Sequence, residues 1–212
     1  MSRNFILVLI LVFFAIALKA QTPRKTGREF TINVPASKVE FSVGSSAGGV
    51  NGVFQSWSCK LRQDMPGVPE SAKLSLEVAA ATISTGSGVS DKMVKGTDFF
   101  DTEKFATVTF TSTKVIPSND PNKFQAQGDF TLRGVTKPAA LQVNLDPDNK
   151  GGGQIYADLS FDRRDFGMTK NLPLTGVNDS IRVRLDLHVS PDPDATEKSY
   201  SWSKVVRIKV DR

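Results

Sequence analysis

Residues 44–48 read GSSAG, which meets the G-x-S-x-G pattern of serine hydrolases and would make Ser46 the nucleophile. That chemistry needs a strand before the serine, a helix after it and a histidine base within reach. Here more glycine and another strand-like run follow, and the single histidine, His188, alternates in register with Arg182, Arg184 and Asp186 on a polar strand face. A glycine-permitted loop is the expected structure at 44–49. No catalytic residue is assigned, and a serine hydrolase using Ser46 ranks below the non-enzymatic alternatives.

Metal chemistry is equally poorly supplied. One histidine and one cysteine do not make a transition-metal site of the usual nitrogen and sulfur type, so neither a metal nor a cofactor is expected. Asp98, Asp101 and Glu103 read as turn and solvated-face carboxylates, and Cys59 reads as a small buried hydrophobe. The pair Arg163-Arg164 is more suggestive, because a guanidinium presents planar donors that fit a phosphate. Arg164 is the candidate for holding such a phosphate-bearing group. The competing reading pairs these arginines with Asp162, Asp165 or another surface acid.

The strand-forming part of the chain begins after an N-terminal segment of a different kind. Arg3 precedes an unbroken apolar run, Phe5 to Leu18, followed by Lys19, Ala20 and polar residues. This is the layout of a secretory signal peptide, with cleavage expected after Ala20. At 14 residues the run is shorter than the ~20 that cross a bilayer, which argues against an integral membrane protein. Removing residues 1–20 takes away Arg3 and Lys19 and no acid, leaving 25 basic residues against 22 acidic. So small an excess gives no reason to expect nucleic acid binding. The expected location is periplasmic or secreted.

Period-two alternation dominates the rest. Ile181, Val183, Leu185, Leu187 and Val189 share one face of a strand, and the same pattern recurs at Val39–Val43, Leu74–Val78, Leu141–Leu145 and Ile155–Phe161. Between Phe54 and Trp57 the apolar phase slips by one residue, which predicts a β-bulge. Turn-rich segments at 44–49, 117–122, 146–153 and 171–179 join the runs. One short helix is expected within 90–100, with Ser90 as its cap, Asp91 in its first turn and Gly96 limiting its length. Eight to ten antiparallel strands and no βαβ spacing predict an all-β barrel or sandwich.

Three segments in order, DKMVKGTDFFDTEKFATVTFTSTKV, GDFTLRGVTKP and RRDFGM, resemble the YceI-like family of exported bacterial proteins, and fainter agreement extends the resemblance over about residues 30 to 189. The resemblance implies a lipocalin-like antiparallel β-barrel of about eight strands with one short helical insert. It implies a polyisoprenoid or other amphipathic lipid as ligand, and no catalytic residue. Ser45 and Met93 stand where the family commonly carries histidines, so a head-group role for those positions does not carry over. The domain limits read from this are 1–20 for the signal peptide, 21–189 for the barrel and 190–212 for an extension. In that extension Val206, Ile208 and Val210 alternate with charges as an edge strand would.

Within such a barrel, Phe99 and Phe100 are expected to pack a short helical segment against one end, while Val108 and Phe110 point inward from the following strand. Phe41, Phe54, Phe99, Phe100, Val108, Phe110, Leu159 and Phe161 are the expected ligand-lining residues. Ala79, Ala80, Ala81, Ala139 and Ala140 favour space inside. The expected function is non-catalytic binding or carriage of a long-chain apolar ligand, a polyisoprenoid or amphipathic lipid, inside the barrel; the alternative is a structural or interaction barrel with a filled core, and a homo-oligomer is compatible with either.

Overall fold

The computed structural model describes residues 27–45, 48–170 and 176–193. The expected signal peptide at 1–20, Ser46 and the edge strand at Val206–Val210 lie outside the described residues.

Among the described residues the alternating runs form eleven strands. The first six come as three broken staves: β1 (Arg28–Ile32) with β2 (Lys38–Ser45), β3 (Val50–Phe54) with β4 (Trp57–Gln63), and β5 (Ala72–Ala79) with β6 (Ile83–Ser84). Five long strands follow: β7 (Thr107–Pro117), β8 (Lys123–Leu132), β9 (Val135–Pro147), β10 (Gly153–Asp162) and β11 (Val177–Pro191). All pairings are antiparallel. β11 takes both halves of the first stave on one edge, β2 through Phe41↔Val183 and β1 through Phe30↔Pro191, and so closes the sheet into a barrel of eight staves.

The phase slip at Gln55–Ser56 is a corner, not the expected β-bulge. β3 pairs with β2 and β6, whereas β4 pairs with β1 and β5. The corner is pinned to the neighbouring stave: Gln55 N–H donates to Thr82 O at 3.2 Å, Ser56 N–H to Thr82 Oγ1 at 3.0 Å, and Ala79 N–H to Ser56 O at 3.0 Å. Every backbone donor turned out of its ladder needs such a partner. The break between β1 and β2 is repaired in the same way, by Ser37 Oγ, which accepts His188 N–H at 2.9 Å and donates to Asn33 O at 2.8 Å. A register shift does occur between Ser112 and Lys114 in β7, where the Ser112 hydroxyl accepts Leu74 N–H at 2.8 Å.

The helix α1 spans Gly88–Lys95 and starts earlier than expected. Ser87, not Ser90, is its cap, and Ser90 N–H donates to the Ser87 hydroxyl at 3.5 Å. Asp91 fixes this start by accepting Thr85 N–H at 2.7 Å and Thr85 Oγ1–H at 2.6 Å, bonds that hold its carboxyl below the usual range. Gly96 ends the helix. Inward-facing residues of all eight staves meet along the barrel axis in one apolar core.

Candidate functional site

The barrel interior is built by alternation. On β11, Ile181, Leu185 and Leu187 are buried while Arg182 and Arg184 are exposed, and the same division runs along β8 and β10. The interior holds an apolar cavity of about 30 Å³. Phe54, Phe100, Val108, Phe110, Leu159 and Phe161 all line it, and Thr109 is the one lining residue with a polar side chain. These are six of the eight residues expected from the sequence. Phe130, Leu132, Leu141 and Val183 line it as well; the alternation of β8, β9 and β11 carried that signal.

Phe41 and Phe99 are buried but do not reach the cavity. Phe41 stands behind it, in an aromatic triad with Phe54 and Phe100 whose ring centroids lie 5.7 to 6.0 Å apart. Of the two adjacent phenylalanines expected to close this end as a plug, Phe100 joins the triad and Phe99 does not. Phe99 contributes its carbonyl, which with that of Thr97 accepts from Arg133 Nη1, the latter at 2.8 Å. Lys170 pairs with Asp98 at 2.6 Å, so the plug segment is tied down from two sides. A second aromatic cluster joins Phe130, Phe161 and Phe166, with centroids 5.0 to 5.3 Å apart. Of the alanines expected to leave space, Ala80 is buried in the core but Ala81 is exposed, because it lies in the turn between β5 and β6.

The adjacent arginines have separate fates. Arg163 is fully buried and bonded on all sides: to Asp179 at 3.0 Å, to the carbonyls of Asn178 at 3.3 Å and Lys170 at 3.2 Å, and to that of Met168. It fastens the turn after β10 to the start of β11. Arg164 is half-exposed and pairs with the same Asp179 at 2.9 Å. Asp162 and Asp165 are occupied elsewhere, by Arg164 N–H at 2.8 Å and Lys137 Nζ at 2.6 Å.

His188 and the start of β11, where the Gly-Ser loop joins the barrel, lie far apart. His188 lies 3.9 Å from Asp186, whose carboxylate also accepts from Gln154 at 2.6 Å. Ser45, beside the candidate nucleophile, pairs with Val177 at the start of β11, whereas His188 lies near the end of that strand. Along an extended chain that is a separation of roughly 35 Å. No group of three or more His, Cys, Asp or Glu residues is placed to hold a metal ion among the described residues. Cys59 packs against the core, and desolvation pushes its thiol up to about 12, where it is a poor nucleophile.

The family model of the YceI-like domain matches residues 30–189. The chain belongs to that family. A UPF0312 protein of Vibrio vulnificus (strain YJ016) is 32% identical over 168 residues, covering 77% of this chain and 82% of that one. Among solved structures, BcnA of Burkholderia cenocepacia superposes with a TM-score of 0.68 at 20% identity, over 76% of this chain and 99% of that one. A domain of Saccharophagus degradans, described as polyisoprenoid-binding and implicated in plant cell wall breakdown, superposes with a TM-score of 0.55 at 13% identity, over 77% and 98%. At these identities the structures show a shared fold. Within this YceI-like domain Met93 is half-buried against the core and Ser45 closes β2 at the rim.

Proposed function

We propose that this barrel binds a long-chain apolar ligand, an isoprenoid or other lipid, and performs no catalysis. The observation that carries the reading is the cavity on the barrel axis, walled almost wholly by hydrocarbon side chains and closed at one end by the Phe41, Phe54 and Phe100 triad. Membership of the YceI-like family and the fold shared with a polyisoprenoid-binding domain support it. A long chain inside such walls gains about 0.8 kcal/mol per buried methylene, so ten carbons give a gross term of about 8 kcal/mol before ordering costs.

At about 30 Å³ the cavity has room for little more than a water molecule. Binding therefore includes repacking of the aromatic walls. The same small volume favours a second reading, a filled barrel that acts through its outer surface. Native mass spectrometry of the purified protein, before and after organic extraction, separates the two. A bound lipid mass that disappears on extraction and returns with added isoprenoid is the expected result; no extractable lipid and no uptake leaves the filled barrel. The site of action is the periplasm or the exterior, reached after removal of residues 1–20, and the support for it is the short apolar run behind Arg3.

A further inference from the structure

The two ends of the barrel are not equally closed. At the plug end Phe41, Phe54, Phe100, Phe130, Leu132 and Ile181 are all at most 5% exposed, while Val50, Phe161 and Val177 are partly buried. At the opposite end, formed by the end of β4, the start of β5, and the far halves of β7 and β9, the inward side chains of Leu61, Leu74, Val115, Val143 and Leu145 pack against the core yet stay partly exposed. On β1, β10 and β11 at this end Phe30, Ile155, Leu187 and Val189 are buried, so the half-covered apolar side chains form an arc on one side, where the barrel interior meets solvent.

Gln63 stands at this end. It is the last residue of β4, opposite Arg28 in β1 and Ala72 in β5, and it shares a strand face with Cys59 and Leu61, which pack against the core. It is 3% exposed, and its side-chain amide nitrogen is buried without a hydrogen-bond partner. A buried donor left unpaired costs stability unless something supplies an acceptor. Nearly every other side chain on the inner surface is hydrocarbon, so the donor is placed to read one polar group at the end of an otherwise apolar molecule.

We propose that this end is the ligand mouth and that Gln63 donates to an acceptor oxygen, a carbonyl, ester or ether, at the head of a long-chain ligand. The inference rests on the lipid reading above and adds a polarity and a head-group chemistry to it. The tail runs toward Phe100, and the head stays at the end remote from Arg164.

Two probes of matched length test this on the full chain: methyl oleate, which carries an ester, and 1-octadecene, which has no acceptor, each delivered from cyclodextrin. The natural protein is expected to bind the ester about tenfold more tightly, the worth of one buried hydrogen bond. Gln63→Leu should bring the two affinities to within about twofold by weakening the ester while leaving the alkene unchanged. Gln63→Met should do the same, which guards against a packing effect peculiar to leucine, and near-ultraviolet circular dichroism reports whether each variant keeps the native fold. Equal affinities in the natural protein, or a preference that survives both substitutions, overturns the role of Gln63 and leaves lipid binding standing. Failure of both probes to bind the natural protein overturns both.

Discussion

Phe41 lies directly across the β2–β3 ladder from Gly52, and its ring occupies the space that a Cβ on Gly52 would need, with Cζ only 2.7 Å from that position. The glycine is thus the floor on which the first ring of the plug rests. Gly52→Ala forces that ring away from Phe54 and Phe100 and should cost about 1–3 kcal/mol in denaturant unfolding, as overpacking does. Combining it with Phe41→Leu should recover part of the loss, because the two changes share one space. An additive double variant would show that the strain lies elsewhere.

Arg163 and Arg164 should respond very differently to the same substitution. Arg163→Met removes a fully buried cation from Asp179 and three carbonyls, and a loss of about 3–5 kcal/mol is expected. Arg164→Met removes a half-exposed ion pair and should cost less than about 1 kcal/mol. Urea unfolding of both variants measures this contrast, and equal midpoints would contradict the assignment of Arg163 as the fastener between β10 and β11.

The barrel was legible in the sequence because period-two alternation records which face each side chain takes. Alternation does not record depth, so Phe41 and Phe99 look the same in sequence as Phe54 and Phe110 although they stop short of the cavity. The corner at Gln55–Ser56 shifts the apolar phase just as a bulge does, and the bonds that define it come from Thr82, far along the chain. Ser87 and Ser90 are both plausible caps by type, and the tertiary bonds between Thr85 and Asp91 select the earlier one. Neighbouring arginines look alike in sequence, and only the position of Asp179 shows which is buried. Gln63 gave no signal, since a polar residue at a strand end reads as the exit from the core.

Cys59 makes stability depend on alkaline pH. Its thiol is raised from 9.0 to about 12 in the folded chain by desolvation. Above pH 9 the unfolded chain loses this proton while the folded one keeps it, so the contribution present below 9 is lost as pH rises toward 12. Cys59→Ala should flatten that part of the stability profile. A thiol reagent at pH 8 should label the native protein far more slowly than the protein in denaturant; equal rates would refute a desolvated thiol.

Export predicts a mature chain beginning at Gln21. Expression of the full sequence in an exporting bacterial host, followed by intact mass of the extracytoplasmic fraction, checks it. Retention of residues 1–20 in a membrane fraction would count against a cleaved signal peptide.

Phe100 distinguishes a barrel that takes up ligand from one that is merely filled. Its ring closes the cavity against Phe41 and Phe54, and Phe100→Ala should cost about 3–5 kcal/mol in the lipid-free protein through lost burial and the void left behind. The void, however, adjoins the space that the ligand tail must enter. If binding in the natural protein requires that ring to move, the variant has already made the room and should bind a long-chain isoprenoid more tightly. Ligand at a hundred times its dissociation constant stabilises a protein by about 2.7 kcal/mol, and at a fixed concentration the gain grows as the constant falls. Added isoprenoid should therefore raise the unfolding midpoint of Phe100→Ala by more than it raises that of the natural protein, returning part of the stability lost. A filled, non-binding barrel predicts the same initial loss with no recovery, and denaturant titrations of both proteins with and without geranylgeraniol decide between them.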